Sequence, residues 1–233
     1  MKIKNIISYL ALILVLAGCT ADDFESDLDF ISFFDFQNGL QNWEAGVSNY
    51  NYSQRDSLDF NLAHQTYLHD GVTKQTMNLE VKKLPMQSFV FIHNSIKGLQ
   101  PDTKYEITFE IKHRYQFNSL VETSDDGSVG EMKYRCGISS MKPEVWVQEG
   151  TQPERMMLNI DMTNSSSDYT SIYLSKKPLS HNDSFVTLDN FLKPLVVQTN
   201  GDGGFWFLLG HTITESFNYS IIFDSIIIYY SEI

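Results

Sequence analysis

Tyr105-Glu106-Ile107-Thr108-Phe109-Glu110-Ile111-Lys112 alternates apolar and polar side chains without a break. Successive side chains of a strand point to opposite faces, so Tyr105, Ile107, Phe109 and Ile111 share one face and the polar groups share the other. One side suits a core and the other suits water. The same period recurs in Leu58, Phe60, Leu62, in Met77, Leu79, Val81, in Met132, Tyr134, Cys136, Ile138 and in Met156, Leu158, Ile160, Met162. No capped stretch of ten or more residues has helical spacing, so the chain is expected to be all-β, with a single helical turn within residues 184–192.

Three runs, residues 89–92, 205–209 and 221–230, are apolar on both faces and predict central strands. Turn-forming clusters separate the strands: His69-Asp70-Gly71, residues 98–102, 124–130 and 164–168, and Asn200-Gly201-Asp202-Gly203-Gly204, which reads as a hairpin turn. Eight or more short strands without an internal repeat predict a two-sheet antiparallel β-sandwich of jelly-roll type, one domain over residues 30–233.

Ahead of that domain, Lys2 and Lys4 precede an apolar segment over residues 6–17, shorter than the roughly 20 residues that span a bilayer. It ends in Leu16-Ala17-Gly18-Cys19, a small-residue box of the kind that marks a bacterial protein for lipidation. Residues 1–18 are therefore expected to be a signal peptide, and Cys19 to carry the fatty chains that tie the protein to a membrane. Residues 19–29 hold Asp22, Asp23, Glu25, Asp27 and Asp29, a self-repelling run that reads as a solvated tether. The same acidic run resembles the signal that sends some Gram-negative lipoproteins to the outer face of the outer membrane; the other reading is a plain linker. The net charge of −12 makes nucleic acid a poor partner. With Cys19 acylated, Cys136 has no disulfide partner and reads as a buried thiol.

Gly98-Leu99-Gln100-Pro101-Asp102-Thr103-Lys104-Tyr105 resembles the loop-to-strand corner of extracellular sandwich domains. Phe34-Asp35-Phe36 with Gly39-Leu40 and Trp43 resembles the first strand of galactose-binding-like jelly rolls, the fold of many carbohydrate-binding modules, and Phe223-Asp224-Ser225-Ile226 resembles their last. Gly130-Glu131, Lys133, Gly137, Pro143 and Leu158-Asn159-Ile160-Asp161 are similar to a family of bacterial surface lipoproteins with that fold. The resemblance implies fold and location, and no activity. It also implies a structural Ca²⁺ clipping the first and last strands through Asp35 and Asp224. Asp224 stands in the otherwise apolar row Ile222, Asp224, Ile226, Ile228, and an unpaired buried carboxylate is costly. Backbone N–H groups, or a lysine at a bulge, would compensate it equally well.

Sugars are held by aromatic faces and by amide, carboxylate or guanidinium groups at a rim. Three places have both: Asn49-Tyr50-Asn51-Tyr52 with Arg55 and Asp56; Tyr67, His69 and Asp70 around a turn; and Trp146 between Val145 and Val147. For each aromatic, packing in a half-buried sheet is the competing reading. No nucleophile elbow, zinc-binding His pair, Cys–His arrangement or phosphate-cradling glycine loop is present. The expected function is that of a non-catalytic, lipid-anchored domain binding glycan or another extracellular polymer, with no cofactor required. The alternatives are a structural lipoprotein docking another envelope protein and, third, a polysaccharide hydrolase or lyase.

Overall fold

In the computed structural model, which describes residues 30–117, 132–162, 169–176, 184–213 and 218–233, the alternating stretch at Tyr105 lies in a fourteen-residue strand. The strands in chain order are β1 (Phe30–Phe34), β2 (Glu44–Ser48), β3 (Tyr50–Asn51), β4 (Asp59–His69), β5 (Val72–Lys83), β6 (Phe89–Lys97), β7 (Lys104–Phe117), β8 (Met132–Ser139), β9 (Val145–Gln148), β10 (Arg155–Leu158), β11 (Tyr169–Lys176), β12 (Val186–Asp189), β13 (Leu195–Gln198), β14 (Gly204–Thr212) and β15 (Tyr219–Glu232). A seven-stranded sheet runs β12-β7-β15-β5-β4, with β1 added to β15 and β13 to β7; a five-stranded sheet runs β11-β8-β14-β6-β2. Every strand pair is antiparallel, and the two sheets stack as a jelly-roll sandwich.

The core lies where the inner faces meet. Tyr105, Ile107, Phe109 and Ile111 are all buried, and the intervening residues are partly solvated, so the period-two pattern does what its spacing dictates. Phe109 meets Phe207 of the opposite sheet edge-on at 5.3 Å, and Trp43 packs edge-on against both Phe34 and Phe207. Such pairs contribute about 0.5–1.5 kcal/mol beyond area burial. The corner at Pro101 closes as expected: the Tyr105 hydroxyl accepts the Gln100 N–H at 3.3 Å. Strands β6, β14 and β15, apolar on both faces, are internal in their sheets. Cys136 is buried, and burial pushes its thiol well above the ordinary range.

Three local expectations fail, each for a physical reason. The 200–204 turn does not make a hairpin: β13 pairs with β7 in one sheet and β14 with β6 and β8 in the other, so the turn carries the chain between layers. Its chemistry is that of a turn, Asn200 Oδ1 accepting the N–H groups of Asp202 and Gly204, but turn residues do not decide whether the flanking strands pair. No helical turn forms in 184–192; strand β12 ends there in a tight turn at 190–193. The 124–130 and 164–168 clusters lie outside the described residues.

The third failure shapes the site. Met156, Leu158, Ile160 and Met162 do not form one strand, because β10 stops at Leu158 and the chain bends. Met156 joins the main core, whereas Ile160 and Met162 pack with Phe89, Phe91 and Leu208 in a second apolar cluster. That cluster lies on the outer face of the five-stranded sheet, roofed by residues 158–162 where they leave a small third sheet of order β3-β10-β9, with Val145 packed beside them. Gly46 and Gly210 flank Phe91 in register, and only glycine fits there. A Cβ on Gly210 would stand 2.4 Å from the Phe89 ring and 2.6 Å from the Val90 carbonyl oxygen.

Candidate functional site

Where the roof meets the sheet, a cavity of about 390 Å³ opens to solvent. Its apolar lining comes from Phe89, Trp146, Met157, Leu158, Ile160 and Met162, its polar lining from Ser48, Asn49, Arg135, Asn159, Asp161 and Thr212. The volume falls within the ~300–1,000 Å³ of small-ligand sites. Trp146, on β9 opposite Met157 of β10, keeps 49% of its surface exposed. Register explains this: Val145 and Val147, its neighbours, turn inward and pack against the main core.

The polar groups are held in place by the backbone. Asn49, in the left-handed region at φ 61°, donates through Nδ2 to the Gln87 carbonyl at 2.7 Å and accepts from Arg155 through Oδ1. Arg135 donates to the Met162 carbonyl at 2.8 Å, and its guanidinium lies 5.7 Å from the Tyr173 ring centre. Asn159 accepts the Glu144 N–H and donates to the Lys142 carbonyl, pinning the roof. A rim of anchored guanidinium and amide groups, with the Ser48 and Thr212 hydroxyls, beside an aromatic face can hold a polyhydroxylated ring by stacking and hydrogen bonding.

Of the other residues named from sequence, Tyr52 and Arg55 are exposed on a short 3₁₀ turn, Tyr52–Ser57, that follows the small sheet's β3. Tyr50 is not a stacking platform. The positive φ at Asn49 turns its ring inward, where it is 7% exposed within the main core and burial pushes its phenol pKa up. Tyr67 and Asp70 belong to the β4–β5 hairpin of the seven-stranded sheet and do not join the Trp146 cavity. Asp70 and Gly71, with φ of 49° and 77°, form the two-residue turn itself, and Tyr67 lies under the Arg114 guanidinium at 4.9 Å.

Asp224 is compensated by lysine. It sits at a β-bulge, between Phe223 and Ser225, and its two oxygens meet Lys74 Nζ at 2.8 Å and Lys112 Nζ at 3.3 Å. Asp35 accepts the Gln37 N–H at 3.1 Å, a local turn contact. With one carboxylate already shared by two ammonium groups, Asp35 and Asp224 do not fit a calcium clip; among the described residues no group of three or more His, Cys, Asp or Glu is placed to hold a metal ion. EDTA is accordingly expected to leave the melting temperature unchanged, whereas Asp224→Ala lowers stability by about 1 kcal/mol by removing the carboxylate that two partly exposed ammonium groups share. A melting temperature that falls with EDTA and recovers with calcium would restore the metal clip.

Sequence reading missed Arg135, Asp161 and Thr212, which no local pattern connects with Trp146. It also assigned Trp206 to a strand covered on both faces. Trp206 is instead half-buried on the uncovered end of the same sheet face, with Lys142 Nζ 5.7 Å from its ring centre and the His93 ring at 5.6 Å. His93 Nε2 lies 3.7 Å from Glu44. Burial lowers the His93 pKa, Glu44 opposing the shift and Lys142 adding to it.

No family model and no curated protein matches the chain. Solved structures do. The CBM22-1 xylan-binding domain of Xyn10C from Paenibacillus barcinonensis is 11% identical over 88% of this chain and 95% of that one, with a TM-score of 0.41. The K1 cleaved adhesin domain of Lys-gingipain from Porphyromonas gingivalis W83 is 11% identical over 85% of this chain and 97% of that one, with a TM-score of 0.39. The enzymatically active domain of tailspike protein 4 from bacteriophage CBA120 is 11% identical over 85% of this chain, with a TM-score of 0.34. The chain spans only 20% of that tailspike structure.

Proposed function

We propose that this chain is a lipid-anchored protein of the outer membrane, facing the cell surface, whose jelly-roll domain binds a glycan without cleaving it. The observation that carries the reading is the cavity at Trp146: a half-exposed indole at the mouth of a pocket whose rim offers Arg135, Asn49, Thr212 and Asp161. Glycoside cleavage takes two carboxyl groups about 5–9 Å apart across the scissile bond. Among the described lining residues Asp161 is the single carboxylate, which supports binding over hydrolysis.

Trp146→Ala is expected to weaken retention on a polysaccharide affinity gel about tenfold or more, the change that losing about 1.4 kcal/mol of stacking produces. Arg135→Gln weakens it further, and Tyr67→Ala leaves it unchanged. Retention equal to wild type in Trp146→Ala would move the site elsewhere, and release of reducing ends from the bound polymer would replace binding with hydrolysis. The anchor has its own test: palmitate incorporated by the wild type and lost in Cys19→Ser.

A further inference from the structure

The outer face of the seven-stranded sheet carries an apolar patch that no described element covers. Ile31 and Phe33 of β1 stand there, both more than half exposed, in register with Tyr229 and Ile227 of β15. Phe191 leans on Tyr229, ring centres 5.9 Å apart. One residue further, Leu192 is 99% exposed at the tip of the 190–193 turn.

That tip is rigid. The Lys193 N–H donates to the Asn190 carbonyl at 2.7 Å, and the Asn190 side chain, itself buried, bonds to Phe109 N, Ile107 O and Lys193 O. A contiguous apolar patch with a fully exposed leucine at its edge is an interaction surface. It lies on the opposite side of the sandwich from the Trp146 cavity, which opens on the outer face of the five-stranded sheet.

We infer that this patch docks the domain on the bilayer that holds its anchor, with Phe191 and Leu192 seated at the boundary between headgroups and acyl chains; the inference rests on the lipid-anchor reading of Cys19. Ten residues, 20–29, lie between Cys19 and Phe30, and the chain from one to the other reaches at most about 40 Å when fully extended. The strand that follows, β1, begins at Phe30 and Ile31, at the edge of the patch and within it, so the tether joins the domain at this face. Aromatic and aliphatic side chains on a fixed turn, with Lys193 beside them, suit that boundary, where rings sit at headgroup level and a lysine reaches outward to phosphate. Glu110 and Asp189, paired in register on the strands behind the tip, favour zwitterionic over anionic lipid. Docked this way, the domain turns the Trp146 cavity away from the membrane and toward external polymer.

The test uses the full acylated chain in vesicles of phosphatidylcholine and phosphatidylethanolamine, with an environment-sensitive dye on Leu192→Cys or, for comparison, on Met141→Cys. The expected result is a blue-shifted Leu192→Cys label quenched by lipid-borne quenchers, an aqueous Met141→Cys label, and loss of the quenching when Phe33→Asp is added. If the protein floats with the vesicles while both labels stay in water, the docking is wrong and the anchor stands. If the protein does not float, the anchor and the docking fall together. A Leu192→Cys label shielded from water but not reached by lipid quenchers, with crosslinking to a second copy or to another protein, overturns the docking in favour of a protein partner.

Discussion

Acidification from pH 7 to pH 4 is expected to remove several kcal/mol of folding stability, most of it through one side chain. His211 is 2% exposed between the two sheets, bonded through Nε2 to the Tyr219 hydroxyl and edge-on to Tyr134. Burial first, and the nearby His113 second, lower its pKa from 6.5 to about 3. In the unfolded chain His211 takes up a proton as pH falls through 6.5; in the native state it stays neutral until about pH 3. The unfolded state therefore binds more protons across that window, and stability present above pH 6.5 is lost progressively as pH falls toward 3. At about 1.4 kcal/mol per pKa unit the full loss approaches 5 kcal/mol, roughly half of what a domain this size commands. The lowered pKa of His93 acts in the same direction. Urea denaturation at pH 7.5, 5.5 and 4.5 reads the slope, and His211→Phe should flatten it even though the variant starts less stable for want of the bond to Tyr219. Parallel pH profiles for wild type and variant would assign the acid sensitivity to other groups.

The same residues explain why the fold was so readable. A strand states its burial every second residue, so the row Tyr105, Ile107, Phe109, Ile111 announced the inner face of β7 directly, and the doubly apolar runs announced β6, β14 and β15 as internal strands. The sheet to which a strand belongs is not written locally. β13 and β14 are joined by turn chemistry suited to a hairpin yet lie in different layers, because the flanking residues 195 and 197 find β7 and the flanking residues 205 and 207 find β6 and β8.

The cavity was legible only in part for a related reason. Trp146 showed itself as a large ring between two valines, one pattern that displays the middle side chain. Its partners come from residues 48–49, 89, 135, 157–162 and 212, brought together by the roof, and the roof exists because the chain bends at Leu158 in the middle of an unbroken alternation. Tyr50 misled because polar and aromatic residues alternate there as they would on a displayed edge, whereas the left-handed Asn49 resets the facing of the residues that follow. Asp224 was the opposite case. A single carboxylate in an apolar row had to be compensated, and one of its expected solutions, a lysine at a bulge, is present twice over.

Asn190 is where a single side chain does the work of a strand, and its removal is expected to cost about 3–4 kcal/mol. Along the edge of β7, β13 pairs with residues 104–107 and β12 with residues 110–113, leaving a gap between them. The Asn190 amide fills it as a peptide group would: its Oδ1 accepts the Phe109 N–H at 2.6 Å and its Nδ2 donates to the Ile107 carbonyl at 3.1 Å, all in buried surroundings. Asn190→Ala leaves that donor and that acceptor unpaired, at about 1–3 kcal/mol each, and frees the turn that presents Phe191 and Leu192. Urea denaturation gives the total, and faster hydrogen exchange at the Phe109 amide localises it. Asn190→Asp is the sharper probe. Its carboxylate can still accept from Phe109, but at neutral pH it has no proton to offer Ile107 or Lys193 and faces two carbonyl oxygens instead. Its deficit against wild type, compared at equal pH, should therefore shrink as acid protonates the new carboxyl and restores one donor. An Asn190→Ala protein within 1 kcal/mol of wild type, with Phe109 exchange unchanged, would mean that the gap in β7 is bridged by other means.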